Sequence, residues 1–438
     1  MSTFWCHLVR DEVWGSVAGK KGLTSKLRHR WVDWKPSMDW LGRAKEKVTS
    51  LFCNDKHIFC GQGSGLVRVY KVTSGEWVRD LVPRDATSSE PVDQSHYLGR
   101  SKTLLAGGKK LVVSVAWDVF ITVWSTEGNM DWLTSYECMS EDCRETPFRC
   151  DECGNLLKEP VCCCDEEGTL SAGGCNAQIY EIKVTPDDGK IVFLATFHDS
   201  YSSMWIMKKS EENGWTAVEV PIDENCGPGT CYLGYAELGC HGNPFILCHS
   251  GRLKDFRLCF DSAEETFEDK CQHPHNDEGL EFDESETSGI CGLFMEPPYL
   301  VLVNRNPDYA EDSVALRVYQ MDTYKALKAF GYSRGTCSQL TTNECAVVQL
   351  QSTRSTDQCG DYVLIYDKKM LLDPTKTAED VKTQRIEINQ ESLMMSINTT
   401  SLVFVGNQPW RSNVDLGVLN FWLERGTMGF QDEDKQTT

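Results

Sequence analysis

The sequence predicts an all-β chain folded as a seven-bladed β-propeller with a short N-terminal helical segment, and three observations predict it. A Gly, Asp or Asn turn followed by alternating Val, Ile or Leu and then an aromatic recurs seven times. Each copy is preceded by a second β-branched or apolar run. Third and fourth runs flank several of these pairs. Period-two alternation between turn residues marks antiparallel strands, and four short strands per unit make a blade. Arranging such units radially buries both faces of each sheet and leaves only short, protected edges.

The aromatic-ended copies lie at 65–70, 118–124, 203–207, 251–258, 315–319, 360–366 and 417–422. The runs before them are 57–60, 111–116, 191–196, 244–248, 299–304, 345–350 and 401–405. A third run stands at 48–52, 179–184, 232–238, 292–294 and 393–397, and a fourth at 76–81, 131–136, 215–220 and 324–330. Residues 138–175 break the spacing and read as a Cys-rich insertion; an eighth blade follows if 160–174 builds strands of a further unit. On this reading residues 1–45 are the helical segment, 46–430 the propeller and 431–438 a disordered tail.

Composition narrows the function classes. With 65 acidic against 44 basic residues the net charge is −21, which provides no general field for nucleic acid or an anionic membrane. The apolar runs at 111–113 and 299–303 fall far short of the roughly 20 residues that span a bilayer. Met1–Thr438 opens with no basic stretch followed by an apolar one, so the expected location is inside the cell, cytoplasmic or nuclear. There most of the 21 cysteines remain thiols and pack as small hydrophobes.

Two stretches resemble a known family. Thr185-Pro186-Asp187-Asp188-Gly189-Lys190 resembles the inter-strand turn of WD repeats, and Ser114-Val115-Ala116-Trp117-Asp118 through Trp124 resembles their Asp turn and Trp-ended strand. Only Trp124, Trp205 and Trp422 keep a tryptophan in or near that strand, and the Gly-His dipeptide of the family is missing. The resemblance spans residues 46 to 430 and makes the expected propeller WD-type.

At the N-terminus, Trp5, Leu8 and either Asp11 or Glu12 are spaced to share a helical face that Trp14 closes. Periodicity alone makes this a short helix that plugs or flanks the propeller. Placed before a propeller, Trp5, Leu8, Asp11 and Trp14 resemble the last third of an F-box. F-box/WD-repeat proteins are substrate receptors of cullin-RING ubiquitin ligases. The resemblance implies that these four residues contact the ligase adaptor and that the propeller holds a substrate protein. The Leu-Pro start of an F-box would lie upstream of Met1.

Cys138, Cys143, Cys150 and Cys153 are the candidate metal ligands. Cys150-Asp151-Glu152-Cys153-Gly154 looks like a zinc knuckle, and four thiolates would complete a tetrahedral, structural zinc site. The plainer reading is a loop of free thiols, since the first pair is separated by four residues. Cys240-His241, Cys248-His249 and Cys271-Gln272-His273-Pro274-His275 read as packing or solvated loop. Gly61-Gln62-Gly63-Ser64-Gly65 opens a strand and not a helix, so it is a hairpin turn and no phosphate cradle. The acidic stretches 261–269, 276–286 and 431–434 read as solvated loops and tail. No catalytic or cofactor-binding motif stands out. The function expected is therefore a non-catalytic protein–protein interaction module, the substrate-recognition component of a ubiquitin ligase. The alternatives are a WD-repeat scaffold without a ligase link, or a propeller enzyme with a metal in its central channel.

Overall fold

The computed structural model describes residues 28–33, 36–44, 47–85, 90–92, 102–117, 119–138, 148–149, 156–157, 178–184, 188–197, 201–210, 214–221, 232–238, 244–249, 258–260, 267–269, 290–296, 298–306, 313–320, 326–330, 333–334, 336–355, 358–388, 391–407 and 414–421. A helical turn, α1 (28–33), and β1 (Ser37–Ala44) come first. One antiparallel sheet then follows another, each strand bonded to its chain neighbour. The first comprises β2 (Val48–Cys53), β3 (His57–Gln62), β4 (Val67–Lys71) and β5 (Trp77–Leu81). The second comprises β6 (Thr103–Gly107), β7 (Leu111–Ala116), β8 (Phe120–Ser125) and β9 (Trp132–Glu137). A two-residue pair, β10 (Phe148–Arg149) and β11 (Leu156–Leu157), lies in the insertion.

The next sheet is β12 (Gln178–Val184), β13 (Lys190–Phe197), β14 (Tyr201–Ser210) and β15 (Gly214–Pro221). Two hairpins follow, β16 (Tyr232–Leu238) with β17 (Pro244–His249) and β18 (Leu258–Phe260) with β19 (Phe267–Asp269). Then come β20 (Ile290–Glu296), β21 (Tyr299–Asn306), β22 (Ser313–Gln320) and β23 (Ala326–Ala329), with β24 (Ser333–Arg334) also on β22. The penultimate sheet is β25 (Thr336–Thr342), β26 (Ala346–Ser355), β27 (Gln358–Asp367) and, after helix α2 (Lys368–Leu372), β28 (Thr383–Ile388). The last is β29 (Glu391–Ile397), β30 (Ser401–Asn407) and β31 (Val414–Asn420), completed by β1.

The sheets form a circuit. Their first strands touch in the order β2, β6, β12, β16, β20, β25, β29, and β29 touches β2 again. What holds the circuit is burial on both faces of the middle strands, which explains why they read as continuous apolar runs. All six residues of β7 are buried: Val112 packs with Phe59 and Val69 of the first sheet, Val113 and Val115 with Ile179 and Phe193 of the third. In β26, Val348 and Leu350 pack with Leu402 and Phe404 of the last sheet, whereas Val347 packs with Val301 and Val318 of the preceding one. Ile58 and Cys60 meet Val405 and Leu416, joining last sheet to first. Trp117, in the left-handed region (φ 55°), lays its indole on Gly65 (φ 87°), where a Cβ would stand 2.5 Å from the ring. Only glycine fits there.

The expected helical segment 1–45 needs correcting. Ser37–Ala44 is a strand, antiparallel to β31 from Ser37↔Asn420 to Ala44↔Val414, so the boundary placed at residue 46 cuts through the last sheet. Ser37-Met38-Asp39-Trp40 alternates polar and apolar at period two, and β31 would otherwise expose a row of unpaired backbone groups. Strands β6, β10, β11, β19, β24, β25 and β28 were not among the expected runs either, and Phe267–Asp269, expected within a solvated acidic loop, pairs as a strand with Leu258–Phe260. Trp5, Leu8, Asp11 and Trp14 lie outside the described residues, as do 160–174, 251–257 and the tail 431–438. The second and third sheets share one apolar cluster and pack directly on each other across the insertion. Among the described residues no helix is long and apolar enough to cross a membrane.

Candidate protein-interaction surface

Of the four candidate metal ligands, Cys138 is described: it follows β9, is fully buried among Val119, Ile121 and Phe120, and its N–H donates to the Val119 carbonyl. Cys143, Cys150 and Cys153 lie outside the described residues. Among the described residues no three His, Cys, Asp or Glu side chains gather in a metal-binding group. Gly61–Gly65 is the hairpin turn between β3 and β4, closed by the Gly65 N–H on the Gln62 carbonyl at 3.0 Å. Burial pushes the thiols of Cys53 and Cys60 up to about 12, which removes both as nucleophiles near neutral pH.

The face on which the first strands end, here the lower face, is laced by asparagines. Asn54, Asn343 and Asn398 each begin the turn between first and second strands of the first, penultimate and last sheets. Each folds its side-chain oxygen back onto the turn. Asn54 Oδ1 accepts from Lys56 and His57 N–H at 2.9 and 2.8 Å, and Asn343 Oδ1 from Cys345 and Ala346 at 2.8 Å each. Asn398 Oδ1 accepts from Thr400 and Ser401 at 2.9 and 2.7 Å. This is the local bond by which Asn shapes turns. The amide ends then link sheet to sheet: Asn343 Nδ2 donates to the Asn398 carbonyl at 2.9 Å, and Asn398 Nδ2 to the Asn54 carbonyl at 3.0 Å. Thr399 N–H adds a bond to Asp55 Oδ1 at 3.3 Å.

Helix α1 lies over this seam. Trp31 is fully buried, stacked on Phe421 with centroids 3.9 Å apart, and its indole N–H donates to the Thr399 carbonyl at 3.0 Å. Arg28 grips the Asp367 carboxylate through Nε and Nη2 at 2.8 and 2.6 Å, a bidentate pair. That bond raises the Arg28 pKa further. Asp33 accepts from Lys382 Nζ at 3.0 Å and pairs with His29 Nδ1 at 2.6 Å; the lysine bond, then the histidine, hold its carboxyl below the ordinary range.

The connection from β27 to β28 completes the surface as an ordered projection. Asp367 caps α2 by accepting from Met370 N–H at 3.3 Å, so one buried carboxylate serves both helices. Lys328, 4% exposed, closes the other end by donating to the Leu371 and Asp373 carbonyls at 2.8 and 2.6 Å. Asp373 accepts from the Thr375 N–H and hydroxyl, and Asp380 from those of Thr377, fixing the turns beyond. Lys368 reaches Asn343 and Glu296, tying the projection to the turn and to the sheet before it. The site predicted from sequence contained none of these residues. A repeated Asn three residues before the second strand of a sheet was the available signal.

Likeness to known proteins is one of fold. No family model and no curated protein matches the sequence. Among solved structures, the β-propeller domain of Cps50 (Swd1) from Myceliophteria thermophila is similar with a TM-score of 0.51 and 9% identity, over 87% of this chain and 99% of that one. The WD40 repeats of RRP9 are similar at 0.50 and 11%, over 88% and 98%. Raptor from Chaetomium thermophilum is similar at 0.50 and 10%, over 88% of this chain and 29% of its own. The class these structures and the sheet circuit define is the all-β propeller of WD40 type.

Proposed function

We propose that this chain is a non-catalytic docking scaffold, a seven-bladed ring whose lower-face seam receives a protein partner. The observation that carries the reading is the pre-set state of that face. Its three asparagine turns and the projection 368–382 are fixed by their own side-chain hydrogen bonds. Loops held in this way lose little ordering entropy when a partner arrives. The count of seven is supported by the circuit of first strands and by the direct packing of the second sheet on the third.

A narrower reading, the substrate receptor of a cullin-RING ubiquitin ligase, is supported by Trp5, Leu8, Asp11 and Trp14 alone, and the scaffold reading needs no adaptor. Cross-linking and affinity capture of the full chain test both. Partners are expected to cross-link to the lower face and to be lost from a chain carrying Lys369→Glu, Lys376→Glu and Glu379→Lys, three exposed positions on the projection. Unchanged capture by that triple variant refutes the docking reading. Recovery of the ligase adaptor and cullin with the wild-type chain selects the receptor; their absence selects the scaffold.

A further inference from the structure

The described turn of α1 is ordered by the surface it lies on, since Trp31 and Val32 are buried in one apolar cluster with Leu419 and Phe421. That surface is also held by bonds that do not involve α1: the Thr399 N–H donates to Asp55, and Asp367 accepts from Met370 N–H as the cap of α2. It offers an aromatic face, a carbonyl for an indole N–H, a carboxylate for a guanidinium and an ammonium, Lys382, for a carboxylate. With Arg28 in place the Asp367 side chain is only 3% exposed, so emptying the site takes the cation from a carboxylate that the guanidinium helps to cover. A filled site is favoured. The filling segment is also separable from ring closure, because the strand that completes the last sheet begins only at Ser37, after Pro36.

We propose that the lower-face seam is a peptide receptor which the chain fills with its own residues 28–33, and that a partner helix takes it in trans. That helix presents an Arg, a Trp three positions on and a carboxylate two further, as Arg28, Trp31 and Asp33 do. The inference rests on the docking reading and names the chemistry of the partner and the cis contact that regulates access. A short tether holds α1 at an effective concentration on the order of millimolar, so a partner displaces it only with further contacts of its own or when the strap is weakened.

The test uses the full chain and a fluorescently labelled peptide of residues 24–37. Anisotropy should show saturable binding to the Trp31→Ala chain, at least about tenfold weaker binding to wild type, where the site is occupied in cis, and loss of binding when Asp367→Asn is added. Absence of binding to a folded Trp31→Ala chain, or equal binding to wild type and variant, overturns the proposal. Should Trp31→Ala not fold, Arg28→Gln takes its place. Amide exchange on the wild-type chain is a second readout: residues 28–33 should exchange faster than 37–44, and equal protection overturns a separable strap. If the peptide fails while the triple projection variant still loses partners, the receptor falls and the docking reading stands.

Discussion

Replacing Asn398 by alanine tests whether the lower face is held by its asparagines. The side chain makes three hydrogen bonds, two accepted from Thr400 and Ser401 N–H and one donated to the Asn54 carbonyl. Ser401 is 1% exposed, so its N–H would lose its acceptor with little access to water, at about 1–3 kcal/mol. The other two bonds are part-buried, and water replaces them at about 0.5–1 kcal/mol each. The sum is about 2–5 kcal/mol. Asn398→Asp keeps both accepted bonds but sets a carboxylate oxygen against the Asn54 carbonyl, so it should cost at least the roughly 1 kcal/mol of the lost donated bond. Asn343→Ala should add to Asn398→Ala without coupling, because the bond between them ends on the main-chain carbonyl of Asn398, which alanine retains. Urea unfolding midpoints at constant m value read all three. An Asn398→Ala loss below about 0.5 kcal/mol refutes the argument.

Three further outcomes are expected. Arg28→Ala should lower stability by about 2–3 kcal/mol, less than the loss of a fully buried partner because the guanidinium is 30% exposed, and Asp367→Asn in the same chain should restore part of it; urea midpoints of the single and double variants check this. Asp33 has a lowered carboxyl pKa, so its hold on the strap should be complete above the unfolded value of about 3.9 and be lost as pH falls through its lower folded value; protection of residues 28–33 from amide exchange between pH 5 and pH 3, both taken around that value, reports it. Cys53 and Cys60, pushed up to about 12 by burial, and Cys345, to about 11, should resist maleimide at pH 7.5, near the neutral range, and react only on unfolding; mass spectrometry of the labelled sites reads the difference.

The sheets were legible where a strand is apolar enough to declare its period. Leu111–Ala116 stands at the bounds the sequence indicates, because its neighbours on both sides demand Val and Leu, and Tyr232–Leu238 also stands at the expected bounds. Thr336–Thr342 and Thr383–Ile388 were missed, because a first or outer strand has one solvated side and tolerates Thr, Gln, Arg and Glu. Ser37–Ala44 escaped for a different reason. Its local alternation is only a few residues long, and what makes it a strand is an edge nearly 380 positions away in sequence, at Asn420. Pairing across that distance leaves no local trace. The same holds for Trp31, which no sequence motif singled out, because only the fold supplies Phe421 and Thr399 as its surroundings.

Ring closure and strap docking are therefore distinct events that use adjacent stretches of one segment. Strand β1 contributes backbone hydrogen bonds along the whole length of β31, and its loss would leave β31 as a bare edge of the last sheet. Helix α1 contributes side-chain contacts to the penultimate and last sheets, at Asp367, Lys382, Thr399 and Phe421. Releasing α1 uncovers a charged and aromatic surface while β1 keeps the last sheet complete. The two can be separated by substitution: a change at Trp31 should alter access to the lower face while β1 stays paired, whereas a proline at Leu419's partner, Met38, should disrupt the pairing of β1 itself. If both changes unfold the chain alike, strap and closure are one cooperative unit, and the lower face is a structural seam with no receptor in it.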